Sequence, residues 1–144
     1  MVAKRRVVDN TAIIPALSSI LEKFCPDLAN WPELWAVERA DVAIGERIVQ
    51  IVQPFLLDLL RHGLADKTRA RHRDHIQMLG GEIIRRQHDD PSLAKRPIHT
   101  VILDLIDDDG GPLIWPHITE SAQNNFDVTC RRLYRFMQQQ NTSK

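Results

Sequence analysis

The chain lacks the usual marks of a disulfide scaffold, a membrane span or a strongly charged nucleic-acid binder. Its only two cysteines, Cys25 and Cys130, have no CxxC spacing, so they read as reduced core thiols of a cytoplasmic protein. The most apolar stretch, Ile48–Leu60, is interrupted by Gln50, Gln53, Pro54 and Asp58 and is not expected to span a bilayer. Lys4–Arg6 resemble the start of a signal peptide, but Asp9, Asn10 and Pro15 interrupt the apolar run that such a peptide needs next. The 19 basic and 19 acidic side chains cancel, which removes bulk attraction to a polyanion. No segment alternates apolar and polar residues cleanly between turn signals, which argues against strands.

What remains is helical periodicity. With 144 residues, 43% apolar and 26% charged, the chain is expected to form one all-α domain, a bundle of about five helices with residues 1–10 and 140–144 frayed. Thr11–Phe24 carries Ile13, Ile14, Leu17, Ile20, Leu21 and Phe24 at helical spacing. A second helix is expected from Trp31-Pro32-Glu33 to Arg61, long and kinked or broken near Pro54, with Gly63 as a left-handed stop. Asp66 is placed to cap a third helix reaching His88, whose inward stripe is His72, Ile76, Leu79 and Ile83. Gly80-Gly81 interrupts its pattern and marks either a bend or a close approach by another helix. A linker (91–97), a short helix from Ile98 to Ile106 and an irregular loop come next. The last helix, capped by Thr119, carries Ala122, Phe126, Cys130, Leu133 and Met137 inward. The three tryptophans are expected in the core or as anchors.

Chemistry-bearing patterns are sparse. His72 and His75 are three apart, without the four-residue spacing and intervening glutamate of a zinc protease, so His72 reads as a core histidine. Asp104 and Asp107–Asp109 lack the alternating ligands and distal glutamate of a calcium loop. They lie where the helix dipole disfavours acids, which favours a basic partner surface; Arg131, Arg132 and Arg135 are expected either to neutralise Asp107–Asp109 or to extend the basic surface of the third helix. Ser18, Ser19, Ser92, Ser121 and the two cysteines have no recognisable base or orienter beside them. No catalytic residue, metal site or cofactor is expected.

The charge is nevertheless segregated. Residues 61–96 carry nine basic and five acidic side chains, whereas residues 7–60 carry three and eight. Lys67, Arg69, Arg71, Arg73, Arg85 and Arg86 are the candidate phosphate ligands of the third helix. The segment HGLADKTRARHRDHIQML resembles one in the helical, SAM-like core-binding domain of tyrosine recombinases and phage integrases. There an apolar helix ends in a Gly-Leu turn and the next opens with Lys/Arg-Thr, as at Gly63-Leu64 and Lys67-Thr68. FDVTCRRLYRFM is similar to that domain's final helix, and the resemblance covers about 55–137. The family's catalytic half has no counterpart: no His-x-x-Arg box is present, and Tyr134 is not placed as a nucleophile. The resemblance implies DNA clamping or protein contact without recombination. Together with the basic helix, the first expectation is a non-enzymatic bacterial DNA-associated domain that binds duplex DNA weakly. The alternative is a helical protein-interaction or dimerisation module with no nucleic-acid role.

Overall fold

A computed structural model describes residues 19–142. The expected helical residues 11–18 and frayed ends at 1–10 and 143–144 lie outside the described residues. The fold is all-α. Helix α1 is described over 19–24. It is followed by α2 (Trp31–Trp35), α3 (Ala40–Arg61), α4 (Asp66–Asp89), α5 (Ile98–Leu105) and α6 (Glu120–Thr142), with short 3-10 turns at Leu28–Asn30 and Pro91–Lys95. No strand occurs among the described residues, apart from an isolated bridge between Asp107 and Gly110. No described helix is long and apolar enough to cross a membrane.

The core follows the periodicity. Ile48, Val52, Phe55, Leu56 and Leu59 of α3 are buried at intervals of one to four residues. They meet His72, Ile76, Leu79 and Ile83 of α4 and Phe126, Cys130, Leu133 and Met137 of α6. Helical spacing puts each set on one face, and burial of that face stabilises these helices more than propensity does.

The expected second helix is two helices, and the break lies at residues 36–39, not at Pro54. Ala36 is extended, with φ −69° and ψ 131°. The Asp41 carboxylate accepts the Val37 and Glu38 N–H groups at 2.9 and 3.0 Å, so the turn keeps its donors satisfied. Gly45 lets Pro32 approach so closely that a Cβ there would meet the Pro32 Cα at 2.8 Å. Pro54 instead sits inside continuous α3. Gln50 and Pro54 are both exposed, so the carbonyl that loses its N–H partner lies on the wet side of the helix. Helix α3 ends through extended His62, and Gly63 has no positive φ.

Helix α4 begins one residue earlier than expected: Ala65 is the N-cap, and Asp66 lies in the first turn. It continues through Gly80-Gly81 because the pair seats the Trp35 indole, whose Nε1 donates to the Gln77 carbonyl at 2.9 Å. Beyond α5, Gln123 pins the loop before α6. Its Oε1 accepts from Ile114 and Trp115 N–H at 2.7 and 3.0 Å, and its Nε2 donates to the Pro112 carbonyl at 3.2 Å. Gly110 (φ 143°) and Gly111 press against Asp127 and Cys130. Trp31 and Trp35 are buried as expected, whereas Trp115 on this loop is 47% exposed. Thr119 caps α6 by accepting the Ala122 N–H at 3.0 Å. Helix α6 persists to Thr142, past the expected onset of fraying.

Candidate functional site

The six basic side chains singled out on α4 have unlike surroundings. Arg69 pairs with Asp66. Arg73 donates to the Phe24 carbonyl at 2.8 Å, pairs with Asp74 at 3.0 Å and lies 5.4 Å from the Phe24 ring centroid, clamping α1 to α4. Arg85 and Arg86 both reach buried Glu82 at 2.6 Å, and Arg85 also reaches Asp89 at 3.1 Å. Burial opposes ionisation of Glu82, but the two guanidinium hydrogen bonds outweigh it and hold the carboxyl below its ordinary value. Of these six, only Lys67 and Arg71 have no side-chain partner among the described residues, and both are exposed. Arg132 of α6 also has no partner among the described residues, and its charge, like that of Arg71, is felt at His72.

Between these cations and the core lies a polar knot. The fully buried Thr129 hydroxyl is 2.7 Å from Nδ1 of both His72 and His75. A hydroxyl has one proton and two lone pairs, so it donates to at most one imidazole, and at least one of the two histidines must donate its Nδ1–H to it. Burial lowers both histidines. His72 falls from 6.5 to about 4, helped by Arg132, His75 and Arg71, and His75 is lowered further by Arg71. His75 also meets the Phe126 ring edge-on, with centroids 5.9 Å apart. The knot joins α4 to α6 and keeps His72 a satisfied core histidine.

At the other end of α4 the structure assembles a group that sequence reasoning missed. Glu38, Asp41 and His88 place one donor atom each within 4.8 Å of one another. Asp41 is buried, and its Oδ2 accepts from His88 Nε2 at 2.8 Å as well as from the two turn amides. Burial opposes the Asp41 charge, yet these bonds hold its pKa below 3.8, and the same contact raises His88 above 6.5. The three residues border a cavity of about 200 Å³ that is also lined by Gln87. Gln87 is only 5% exposed, and neither end of its amide has a hydrogen-bond partner among the described residues. His88 is 47 positions from Asp41, so no local spacing could have announced the set. The one usable signal was an acidic pair, Glu38 and Asp41, flanking a helix start.

On the outer side of the 36–39 turn lies an open groove of about 580 Å³, lined by Glu33, Val37, Glu38, Arg39, Val42 and Glu46 among others. Val37 is 77% exposed and nearby Leu34 is 63% exposed. The acidic run behaves as its mismatch with the helix dipole implied. Arg135 reaches Asp108 at 3.3 Å, Arg131 donates to the Asp109 carbonyl at 3.1 Å, and Arg96 pairs with Asp104. Both cysteines are free and buried. Burial pushes Cys25 up to about 12 and Cys130 higher still, so neither thiol is a ready nucleophile.

Comparison with protein-family models, curated proteins and solved structures finds no match. None of these comparisons bears on the resemblance to recombinase core-binding domains.

Proposed function

We propose that the chain is a non-enzymatic helical interaction module whose groove at the α2–α3 turn docks a protein segment with an apolar side chain flanked by Lys or Arg. The observation that carries this reading is the exposure of Val37 at a groove with three glutamates and one arginine, with exposed Leu34 next in sequence to the lining residue Glu33. An apolar centre inside a charged rim is the usual anatomy of a docking patch, and the acidic rim selects the sign of the partner. The candidate phosphate ligands, by contrast, are largely engaged within the fold.

Phage-displayed peptides selected on the full chain test this. Enriched sequences should place Leu, Ile, Phe or Met between basic residues, and binding should fall with Leu34→Ser and with Val37→Asp. Enrichment indifferent to both substitutions would overturn the reading.

A second reading, weak binding of duplex DNA, is favoured by Lys67, Arg71 and Arg132, which have no partner among the described residues. Three phosphate contacts would give a log–log salt slope of roughly −3. Fluorescence anisotropy at two salt concentrations decides it. Low-salt binding abolished by Lys67→Ala with Arg71→Ala would support DNA, and no low-salt binding would eliminate it.

A further inference from the structure

The geometry points to a divalent-cation site of the zinc class formed by Glu38, Asp41 and His88, with Gln87 contacting the ion's water shell. The inference stands apart from the docking groove except that Glu38 lines both. Two carboxylate oxygens and one imidazole nitrogen are donors that Zn²⁺ accepts, and three protein ligands leave positions for water. The two carboxylates balance the charge of the ion when His88 is neutral. In a tetrahedral site with metal–ligand bonds of about 2.0–2.2 Å, donor pairs lie roughly 3.3–3.6 Å apart. Donors within 4.8 Å of one another therefore close onto an ion by movements of about 1 Å.

Two features go beyond a chance meeting of surface acids. The first is preorganisation. Asp41 Oδ2 is fixed by two backbone N–H groups of the turn, whereas Oδ1 accepts no hydrogen bond from the described residues. One oxygen is thus anchored and the other is free to ligate, as outer hydrogen bonds orient ligands in metal sites. The second is Gln87. A buried amide with both ends unpaired among the described residues is costly, and this one lines the same cavity as the three donors. Water held by the cation supplies the donor that Gln87 Oε1 lacks and an acceptor for Nε2. The cation would tie His88 at the end of α4 to Glu38 and Asp41 around the start of α3.

The full-length chain, stripped with chelator, should be titrated with Zn²⁺ by calorimetry and with Co²⁺ by visible absorption. One equivalent should bind, raising the melting temperature and giving Co²⁺ ligand-field bands. Losing an outer partner costs a metal site about 10–100-fold, so His88→Ala and Glu38→Gln, which remove ligands, should each weaken binding by more than about 100-fold. Gln87→Leu should weaken it about tenfold without destabilising the metal-free chain. Glu38 is exposed and its side chain holds no other element, so Glu38→Gln tests the site even where His88→Ala perturbs folding. No binding by the wild type, or binding and cobalt bands that survive both ligand substitutions, would overturn the inference.

Discussion

The two halves of α4 are built from similar polar residues and put them to different uses. In the first half, Arg69, Arg73, His72 and His75 are drawn into the fold by Asp66, Phe24 and Thr129. In the second half, Gly80-Gly81 admits an indole from α2, while Gln87 and His88 meet Glu38 and Asp41 from the turn before α3. A high density of charged residues therefore does not mark a site. The first half pairs its buried polar groups with neighbours, whereas the second leaves buried Gln87 unsatisfied among the described residues, beside three convergent donors.

The largest expected effect tests how the second half is held. Trp35→Ala removes the indole seated on Gly80 and should cost about 3–5 kcal/mol in urea denaturation. A loss under about 1 kcal/mol would mean that α2 does not fix this end of α4. In the first half, Thr129→Val keeps the shape of the side chain but leaves buried His72 without its partner. It should cost about 1–3 kcal/mol, with helix content unchanged by circular dichroism.

The adjacent glycines give a sharper contrast. A methyl group at Gly80 falls inside the Trp35 ring, whereas one at Gly81 meets Trp35 Cδ1 at an ordinary 3.4 Å. Gly80→Ala should therefore destabilise by about 1–3 kcal/mol. Gly81→Ala should be neutral or stabilise by up to about 1 kcal/mol through helix propensity. Equal melting temperatures for the two variants would refute the indole seat.

The halves should also respond oppositely to pH. His72 is depressed to about 4, so between 4 and 6.5 the unfolded chain binds more protons. Stability contributed there is complete above 6.5 and lost on acidification. It is set first by burial, then by Arg132 on α6 and by His75 and Arg71 on α4. His88 is raised above 6.5 by Asp41, so its contribution is complete below 6.5 and lost as pH rises through the raised value. Melting curves should show the acid-side slope flatten in His72→Gln and the neutral-to-alkaline slope flatten in His88→Gln. The smallest effect belongs to the outward cations: Lys67→Ala and Arg71→Ala should each change stability by no more than about 0.5 kcal/mol.

Much of the fold was legible because helix faces are periodic. The stripes His72–Ile83 and Phe126–Met137 are buried as spaced, and Thr119 caps α6. The pairing of the Asp107–Asp109 run with Arg131 and Arg135 was implied by its conflict with the helix dipole. The break before α3 was not legible. It depends on Asp41 folding back on two amides and on Gly45 admitting Pro32, neither of which has a composition signal. Pro54 is a misleading signal in the sequence because the cost of an unpaired carbonyl depends on whether it faces water. The candidate phosphate ligands were legible as charges but not as partners: Glu82 claims Arg85 and Arg86 only because the helix brings them round to it.

The sequence by itself determined the all-α class, the inward faces of the long helices and the absence of a described membrane-spanning helix, since these depend on local periodicity and composition. Tertiary structure alone decided that Trp35 would rest on Gly80 and that Thr129 would sit between two histidines. It also decided that Glu38, Asp41, Gln87 and His88 would share one cavity. Those outcomes require residues dozens of positions apart to meet at distances of a few ångströms. Only the packing of whole helices fixes such distances, because no local interaction along the chain reaches that far.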